Sequence, residues 1–195
     1  LLSPYIPLLF MGEEYGETAP FLYFISHGDP ELVQAVRRGR RQEFPSADEP
    51  PDPQAEQTFA RARIDPDLAR GGWHRTLAGL YRRLLALRRE VPALQRPGKA
   101  GLEVTELDGA RALLVRRTRD GSSAALALCF AEAGPSVDVD LPLSPGRWRC
   151  LLDTADTAWE GPGSPAPGQL VVEQGQPARL TLRPRSAQLH AREED

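Results

Sequence analysis

The stretch that decides the fold is "IPLLFMGEEYGE", residues 6–17 of a 195-residue sequence. Its first half, "IPLLFM", is an apolar run without polar alternation, which is typical of a strand covered on both faces in a parallel sheet or a (β/α)8 barrel. Glu13 and Glu14 follow directly. In such folds the carboxyl ends of the strands carry ligand binding and chemistry. The stretch therefore predicts a barrel strand with two carboxylates at its functional rim.

The longer opening run "LLSPYIPLLFM" (residues 1–11) does not fit a signal peptide or a membrane span. Two prolines interrupt it, the first basic residue of the chain is Arg37, and the run is too short to cross a bilayer. The only methionine is Met11, so the sequence lacks an ordinary translation start. We therefore expect a fragment whose N-terminal portion, the rest of the barrel, is missing.

Composition excludes several classes of partner. Hydrophobic residues make up 41% and charged residues 26%, and the net charge of −3 gives no reason to expect a nucleic acid or an anionic membrane. The two cysteines, Cys129 and Cys150, match no metal-ligand spacing, and the three histidines form no His-x-x-x-His pair. We predict neither a disulfide framework nor a metal site.

Helical patterns occupy much of the first half of the chain. Asp29 is the predicted N-cap of a helix over "DPELVQAVRRGRRQEF" (residues 29–44), with proline at the first turn. A proline-rich connector, "PSADEPPDPQ" (residues 45–54), leads to a short helix in "AEQTFARARI" (residues 55–64). The strongest pattern spans residues 73–91, where apolar side chains recur at helical spacing, and Pro92 ends it.

Arg88 is an exception in this last helix, because it projects onto the apolar stripe. One interpretation is an arginine of the last turn that extends to solvent or bonds the terminal carbonyls of the helix. The other is an ion pair with a carboxylate of the neighbouring barrel.

Beyond residue 101 the pattern changes to short β-type runs separated by turns. Turn signals include Asp108-Gly109, Asp120-Gly121 and Ser144-Pro145-Gly146. The runs are "LEVTEL", "ALLVRR", "AALALCF", "VDVDL", "RWRCLLD", "LVVE", "ARLTL" and "AQLH". Eight such runs at near-regular spacing predict an antiparallel β-sandwich. We thus expect two domains, the end of a (β/α)8 barrel over residues 1–97 and a sandwich over residues 98–195, whose last five residues fray.

Glu13 and Glu14 cannot be a catalytic pair. Adjacent side chains of an extended chain point to opposite sides, whereas the two carboxylates of a retaining glycosidase face each other about 5 Å apart. At most one reaches a site, and either can instead pair with an arginine of a neighbouring strand. Phe21, Tyr23 and Phe24 follow closely, and they suit either stacking on a sugar ring or packing of a long loop.

A basic run, Arg37-Arg38-Gly39-Arg40-Arg41, lies at the end of the first helix. A helix C-terminus favours cations, so a solvated helix end is the default interpretation, and contact with sugar hydroxyls is the alternative. No serine elbow or phosphate-binding glycine loop is present. With no self-sufficient catalytic set, the fragment alone is predicted to be inactive.

Several of these motifs together resemble a known family. "MGEEYGE", joined to "PFLYF", "GRRQEF", "PDPQ" and "HRTLAGLYRRLLALRREVPAL", is similar to the strand-eight region and last barrel helices of the malto-oligosyltrehalose trehalohydrolases of glycoside hydrolase family 13. The distinctive part of the match covers residues 1–94, and the rest matches in length and strand pattern. One departure is "FARARID", where the family has a Ser-Lys-Leu-type stretch; it affects a helix rather than the site.

The resemblance implies a retaining (β/α)8 barrel enzyme. Such an enzyme hydrolyses the α-1,4-glucosidic linkage next to the terminal trehalosyl unit of malto-oligosyl trehalose and releases trehalose, as a step of trehalose biosynthesis. The family's aspartate nucleophile, glutamate acid/base and second aspartate sit at the ends of strands four, five and seven. All precede strand eight, so no catalytic residue is assigned here.

The resemblance also implies what this chain contributes. Its wall of the site would hold residues that bind substrate or support those that do, namely Glu13, Glu14, Tyr15, Phe24 and His27. The implied partners are malto-oligosyl trehalose or a related α-glucan and the missing part of the same barrel. The family uses no organic cofactor or catalytic metal and works in the cytoplasm.

Two alternatives stay open at this point. Another family 13 enzyme, such as a glycogen branching enzyme, carries a similar turn after its last strand. A non-catalytic carbohydrate-binding sandwich would use Trp148 or Trp159 as a sugar platform, although both tryptophans equally suit a core or an inter-domain contact.

Overall fold

A computed structural model describes residues 1–43, 50–107 and 109–193. Within them, Leu9–His74 forms one compact unit, and Leu1–Leu8 together with Arg75–Asp195 forms the other. The α-helices are α1 (Pro30–Glu43), α2 (Glu56–Ala62), α3 (Gly72–Glu90) and α4 (Pro92–Gln95). The strands are β1 (Leu102–Leu107), β2 (Ala112–Arg119), β3 (Ser122–Cys129), β4 (Val137–Leu141), β5 (Gly146–Asp153), β6 (Gln169–Val172), β7 (Ala178–Leu182) and β8 (Ser186–Arg192).

All eight predicted β-type runs form strands, and every pairing between them is antiparallel. Six of them form one sheet in the order β1-β2-β3-β8-β5-β6, while β4 and β7 form a second. Asp120 and Gly121 make the two-residue turn between β2 and β3, and both have positive φ (47° and 83°). That geometry matches the right-handed twist of the flanking strands. The predicted sandwich is confirmed, while Asp108, from another predicted turn, lies outside the described residues.

Strand β3, in the middle of the large sheet, is buried on both faces. Ala125, Ala127 and Cys129 face a core shared with the small sheet. Ala124 and Leu126 point the other way, into a core that includes Leu87 of α3, Ala93 and Leu94 of α4, and Leu2. A strand covered on both sides needs apolar residues at every position. This explains why "AALALC" shows no alternation.

The helices lie close to their predicted bounds. Asp29 caps α1, because its Oδ1 accepts from the amide of Glu31 at 2.9 Å. In α3, Leu80 and Leu84 pack on the outer core of the sheet, and Leu87 is almost fully buried. Pro92 ends α3 and opens α4. Phe44, the predicted last residue of α1, and residues 45–49 of the connector lie outside the described residues, as do Glu194 and Asp195. The prediction of a frayed end is wrong for Ala191 and Arg192, which pair within β8.

Arg88 binds the N-terminal segment. Its guanidinium donates to the carbonyls of Leu1 (2.6 Å), Ser3 (2.8 Å) and Tyr5. Residues 3–5 form a bend, which brings the three carbonyls within reach of one planar guanidinium with five N–H donors. The recorded bonds therefore follow neither sequence interpretation, since they reach carbonyls of another segment instead of solvent, the end of the helix or a barrel carboxylate.

The strand predicted for residues 6–11 is not formed. These residues lie in no strand of the described part of the chain, and Ile6 and Leu8 are 79% and 93% exposed. The physical reason is that a strand exists only through hydrogen bonds to a neighbour, and none of the eight strands pairs with this segment. The predicted division into residues 1–97 and 98–195 stays a prediction.

A buried polar cluster lies in the sandwich. Gln188 and His190 are fully buried, and Asp153 nearly so. The Asp153 carboxylate accepts from Ser164 Oγ (2.6 Å), Gln188 Nε2 (3.1 Å) and the amide of Ala155 (2.8 Å). Desolvation lowers the pKa of His190 to about 4, although the nearby Asp153 charge opposes the shift. The imidazole is therefore neutral in the folded state at pH 7.

We expect the stability of the 195-residue chain to fall with acidification because of His190. A group whose pKa is depressed from 6.5 to about 4 favours the folded state above 6.5, and that contribution disappears as the pH falls from 6.5 to about 4. The loss is about 3 kcal/mol at most. Urea unfolding across this range should give a flatter pH dependence for His190→Leu. The exposed His27→Leu is the control, and an unchanged slope in His190→Leu would contradict the assignment.

Candidate functional site

The two glutamates of the sequence motif lie on a compact turn, residues 10–17, which we call the acidic turn. Its backbone closes on itself: the amide of Glu17 donates to the carbonyl of Gly12 (2.9 Å), and the amide of Gly16 donates to that of Glu13 (3.2 Å). Gly12 has φ of 81°, and a Cβ there would lie 2.5 Å from the Cβ of Glu17. Both the positive φ and the close approach require glycine at this position.

A third acidic residue, Glu17, holds the turn in place. Its Oε1 accepts from the amides of Thr18 and Ala19, both at 2.8 Å. Its Oε2 accepts from the amide of Asp65 at 2.6 Å and from the hydroxyl of Tyr15 at 3.1 Å. One carboxylate thus joins the turn, the chain that follows it and a segment 48 residues away. Sequence reasoning missed this residue, and its only local signal is the Gly-Glu pair that ends "GEEYGE".

The protonation states of this cluster are complementary. Hydrogen bonds, led by the one from the Ala19 amide, lower the pKa of Glu17. Desolvation and then the hydrogen bond to Glu17 raise the pKa of Tyr15. Glu17 is therefore an ionised acceptor and Tyr15 a neutral donor across the ordinary pH range.

Tyr15 is buried and faces its own unit. Besides the bond to Glu17, its carbonyl lies 2.8 Å from Nδ1 of His74, whose ring stacks on Trp73 with centroids 3.9 Å apart. These contacts give Tyr15 a packing role. The binding role predicted for it stays a prediction.

Glu13 and Glu14 differ in their surroundings. The Glu13 carboxylate accepts from the amide of Phe10 at 3.0 Å, so it caps the turn. Glu14 is partly exposed, and no hydrogen bond or ion pair joins its side chain to the residues that the structure describes. Of the two, Glu14 has the side chain that is available to a ligand or to another segment.

Phe24 and His27 lie on the loop that precedes α1. The Phe24 ring meets the Phe59 ring edge-on at 5.1 Å. Gln54 holds the backbone of His27 from both sides, accepting from its amide (3.3 Å) and donating to its carbonyl (3.1 Å), while the imidazole is exposed. None of these contacts reaches the acidic turn. The structure thus brings together Glu13, Glu14 and Tyr15, and it leaves Phe24 and His27 on a separately braced loop.

The arginines at the end of α1 also brace this loop region. Arg37 donates through Nε (2.9 Å) and Nη2 (2.6 Å) to both oxygens of Asp52, and this pair lowers the pKa of Asp52. Arg40 lies 4.9 Å from the centroid of Tyr23, over the ring. Phe21, by contrast, is 81% exposed. For Arg37 and Arg40, the prediction of a fully solvated helix end is therefore incomplete.

The tryptophans of the sandwich unit are packing residues. Trp148 is 2% exposed and donates from Nε1 to the carbonyl of Ser144 at 2.9 Å. Trp159 is partly buried against the outer core, where a Cβ at Gly79 of α3 would come within 3.7 Å of it. The interpretation as core residues fits both better than that of an open sugar platform.

The part of the chain that the structure describes lacks two kinds of feature. No group of three or more His, Cys, Asp or Glu side chains there could hold a metal ion. No helix in that part of the chain has the length and apolar character that a membrane crossing requires.

Comparison with known proteins gives these features a context. Residues 100–172 match a family model described as a domain of unknown function (DUF3459). The malto-oligosyltrehalose trehalohydrolase of Rhizobium sp. (strain M-11) is 44% identical over 142 residues, which are 71% of this chain and 23% of that protein. By sequence, the chain is related to the malto-oligosyltrehalose trehalohydrolases. The namesake from Deinococcus radiodurans is 39% identical over 160 residues, 79% of this chain and 26% of that protein.

The relationship extends to solved structures. A putative α-amylase from Salmonella typhimurium superposes with a TM-score of 0.67 at 29% identity, covering 98% of this chain and 29% of that one. This chain spans about a quarter of the length of the two trehalohydrolases named above. The resemblance noted from the sequence motifs is confirmed.

We expect Gly12→Ala to loosen the acidic turn. The substitution forces φ of 81° on alanine and a Cβ into contact with Glu17, a combined cost of about 1–3 kcal/mol. Hydrogen–deuterium exchange of a peptide covering residues 9–20 should become faster. Gly28→Ala is the matched control, because a Cβ there meets no atom within 4 Å. Equal exchange in the two variants would contradict the requirement for glycine.

Proposed function

We propose that the protein containing this chain is a retaining family 13 glycosidase that hydrolyses the α-1,4-glucosidic linkage next to the terminal trehalosyl unit of malto-oligosyl trehalose. The products are trehalose and a malto-oligosaccharide shortened by that unit. The observation that carries the proposal is the identity of 39–44% over most of this chain to proteins named for that reaction.

The apolar run before the acidic turn supports the barrel part of this proposal. Ile6 and Leu8 are 79% and 93% exposed, and burial of such side chains is worth about 1.5–3 kcal/mol each. A neighbouring barrel strand and helix would cover this run and supply the hydrogen bonds that a strand needs. The acidic turn would then follow a strand at the carboxyl-terminal face of a (β/α)8 barrel.

The proposed role of this chain is to form one wall of the site. Glu14 is the candidate for contact with substrate hydroxyl groups, because its carboxylate is open in the described part of the chain. Glu13 stabilises the turn by accepting from the Phe10 amide, and Tyr15 stabilises it by donating to Glu17. Phe24 and His27 would border the site from their loop if the missing barrel brings substrate there.

The chemistry itself is assigned to residues outside this chain. A retaining glycosidase needs a nucleophilic carboxylate and a second carboxyl group that serves as acid and base, about 5 Å apart. Glu13 and Glu14 do not form such a pair, so the chain alone should be inactive. The proposal requires neither an organic cofactor nor a catalytic metal, and it places the enzyme in the cytoplasm.

Assay of the complete protein on malto-oligosyl trehalose tests the proposal. We expect stoichiometric release of free trehalose, with the new reducing end of the malto-oligosaccharide appearing first as the α-anomer by proton NMR. A malto-oligosaccharide of equal length without the trehalosyl end is the matched control, and it should be cleaved at least ten-fold more slowly. No trehalose release, or the formation of α-1,6 branches in amylose, would contradict the proposal and favour a branching enzyme.

A further inference from the structure

The bonds of Glu17 connect the acidic turn to distant parts of its own unit. Through Oε2 it binds the amide of Asp65, whose side chain in turn caps the short 3-10 helix Pro66–Arg70 by accepting from the amide of Asp67 (3.0 Å). A second anchor lies 59 residues from the turn, where His74 meets the carbonyl of Tyr15. Two points of the turn are therefore fixed, one to Asp65 before the 3-10 helix and one to His74 in the first turn of α3.

The geometry requires a carboxylate at this position. Each Oε atom of Glu17 accepts two hydrogen bonds, three of them from backbone amides. A glutamine side chain has one oxygen and one NH2 group. Its NH2 group would replace one Oε atom and would face two hydrogen-bond donors without being able to accept from them. An aspartate keeps both oxygens but has a side chain shorter by one methylene group, so it cannot satisfy all four donors from the same backbone position.

We infer that Glu17 is a positioning residue for Glu13 and Glu14 in the proposed reaction. Glu17 touches no reacting atom. Its hydrogen bonds fix the position and orientation of the turn on which the Glu13 and Glu14 carboxylates lie. The inference rests on the proposed function, because it needs a substrate that the turn contacts. A displacement of about 1 Å at a positioned group can lower turnover by about 100-fold.

Kinetics and hydrogen exchange of the complete protein test this role together. Glu17→Gln keeps the size of the side chain and removes its charge, while Glu17→Asp keeps the charge and shortens the reach. Glu56→Gln is the matched control, because Glu56 is exposed at the first turn of α2 in the same unit. The measurements are kcat and KM for trehalose release, the melting temperature, and deuterium uptake of peptides covering residues 9–20 and 60–70.

The positioning role predicts a specific combination of results. Glu17→Gln should melt close to the wild type, take up deuterium faster in both peptides and lose about 10- to 100-fold in kcat with a smaller change in KM. Glu17→Asp should recover part of the turnover, and Glu56→Gln should match the wild type. Faster exchange with unchanged kcat would overturn the inference, because Glu17 would then serve stability alone. Failure of both Glu17 variants to fold would overturn it for the same reason.

The wild-type reaction separates this inference from the proposed function. If the wild type releases no trehalose but cleaves or branches amylose, the proposed function fails, and the same three variants are compared on amylose. A ten-fold loss of that activity in Glu17→Gln alone would still support positioning. A wild type inactive on every α-glucan tested would overturn both.

Discussion

Every backbone donor and acceptor withdrawn from water needs a partner, and the two compact units meet this constraint by different means. In the unit of Leu1–Leu8 and Arg75–Asp195, antiparallel ladders pair most of the strand backbone. The unit of Leu9–His74 has helices and long connections. In these connections, side chains supply the hydrogen-bond partners of several backbone groups. Glu17 accepts from three backbone amides. Gln54 bonds both the backbone amide and the backbone carbonyl of His27, and Asp29 caps α1.

This difference explains how much of the molecule the sequence predicts. The eight strands and three longer helices follow from hydrophobic periodicity, turn residues and caps, which act within a few residues of each other. The strand predicted at residues 6–11 is not formed in the structure, because a strand needs a hydrogen-bonded neighbour and none of the described strands pairs with this segment. Glu17 escaped prediction for a related reason. Its decisive donor, the amide of Asp65, is 48 residues away and leaves no local pattern.

Ionised and neutral polar side chains both help to hold the structure together. The unit of Leu9–His74 uses ionised side chains as ties, as in the two-point bond between Arg37 and Asp52 and the carboxylate of Glu17. Both ties lie near solvent, where ionisation carries a small desolvation cost. Within the sandwich, a charged imidazole would cost far more, so His190 is neutral beside Gln188.

Glu13, Glu14 and Glu17 lie in one turn but have different roles. Glu13 and Glu17 accept hydrogen bonds from the backbone, so their carboxylates are committed to the shape of the turn. Only a carboxylate without such bonds can change partners when a ligand arrives, and among these three that is Glu14. In the proposed barrel, where several strand ends would each supply part of the site, the contribution of this turn would be one open carboxylate.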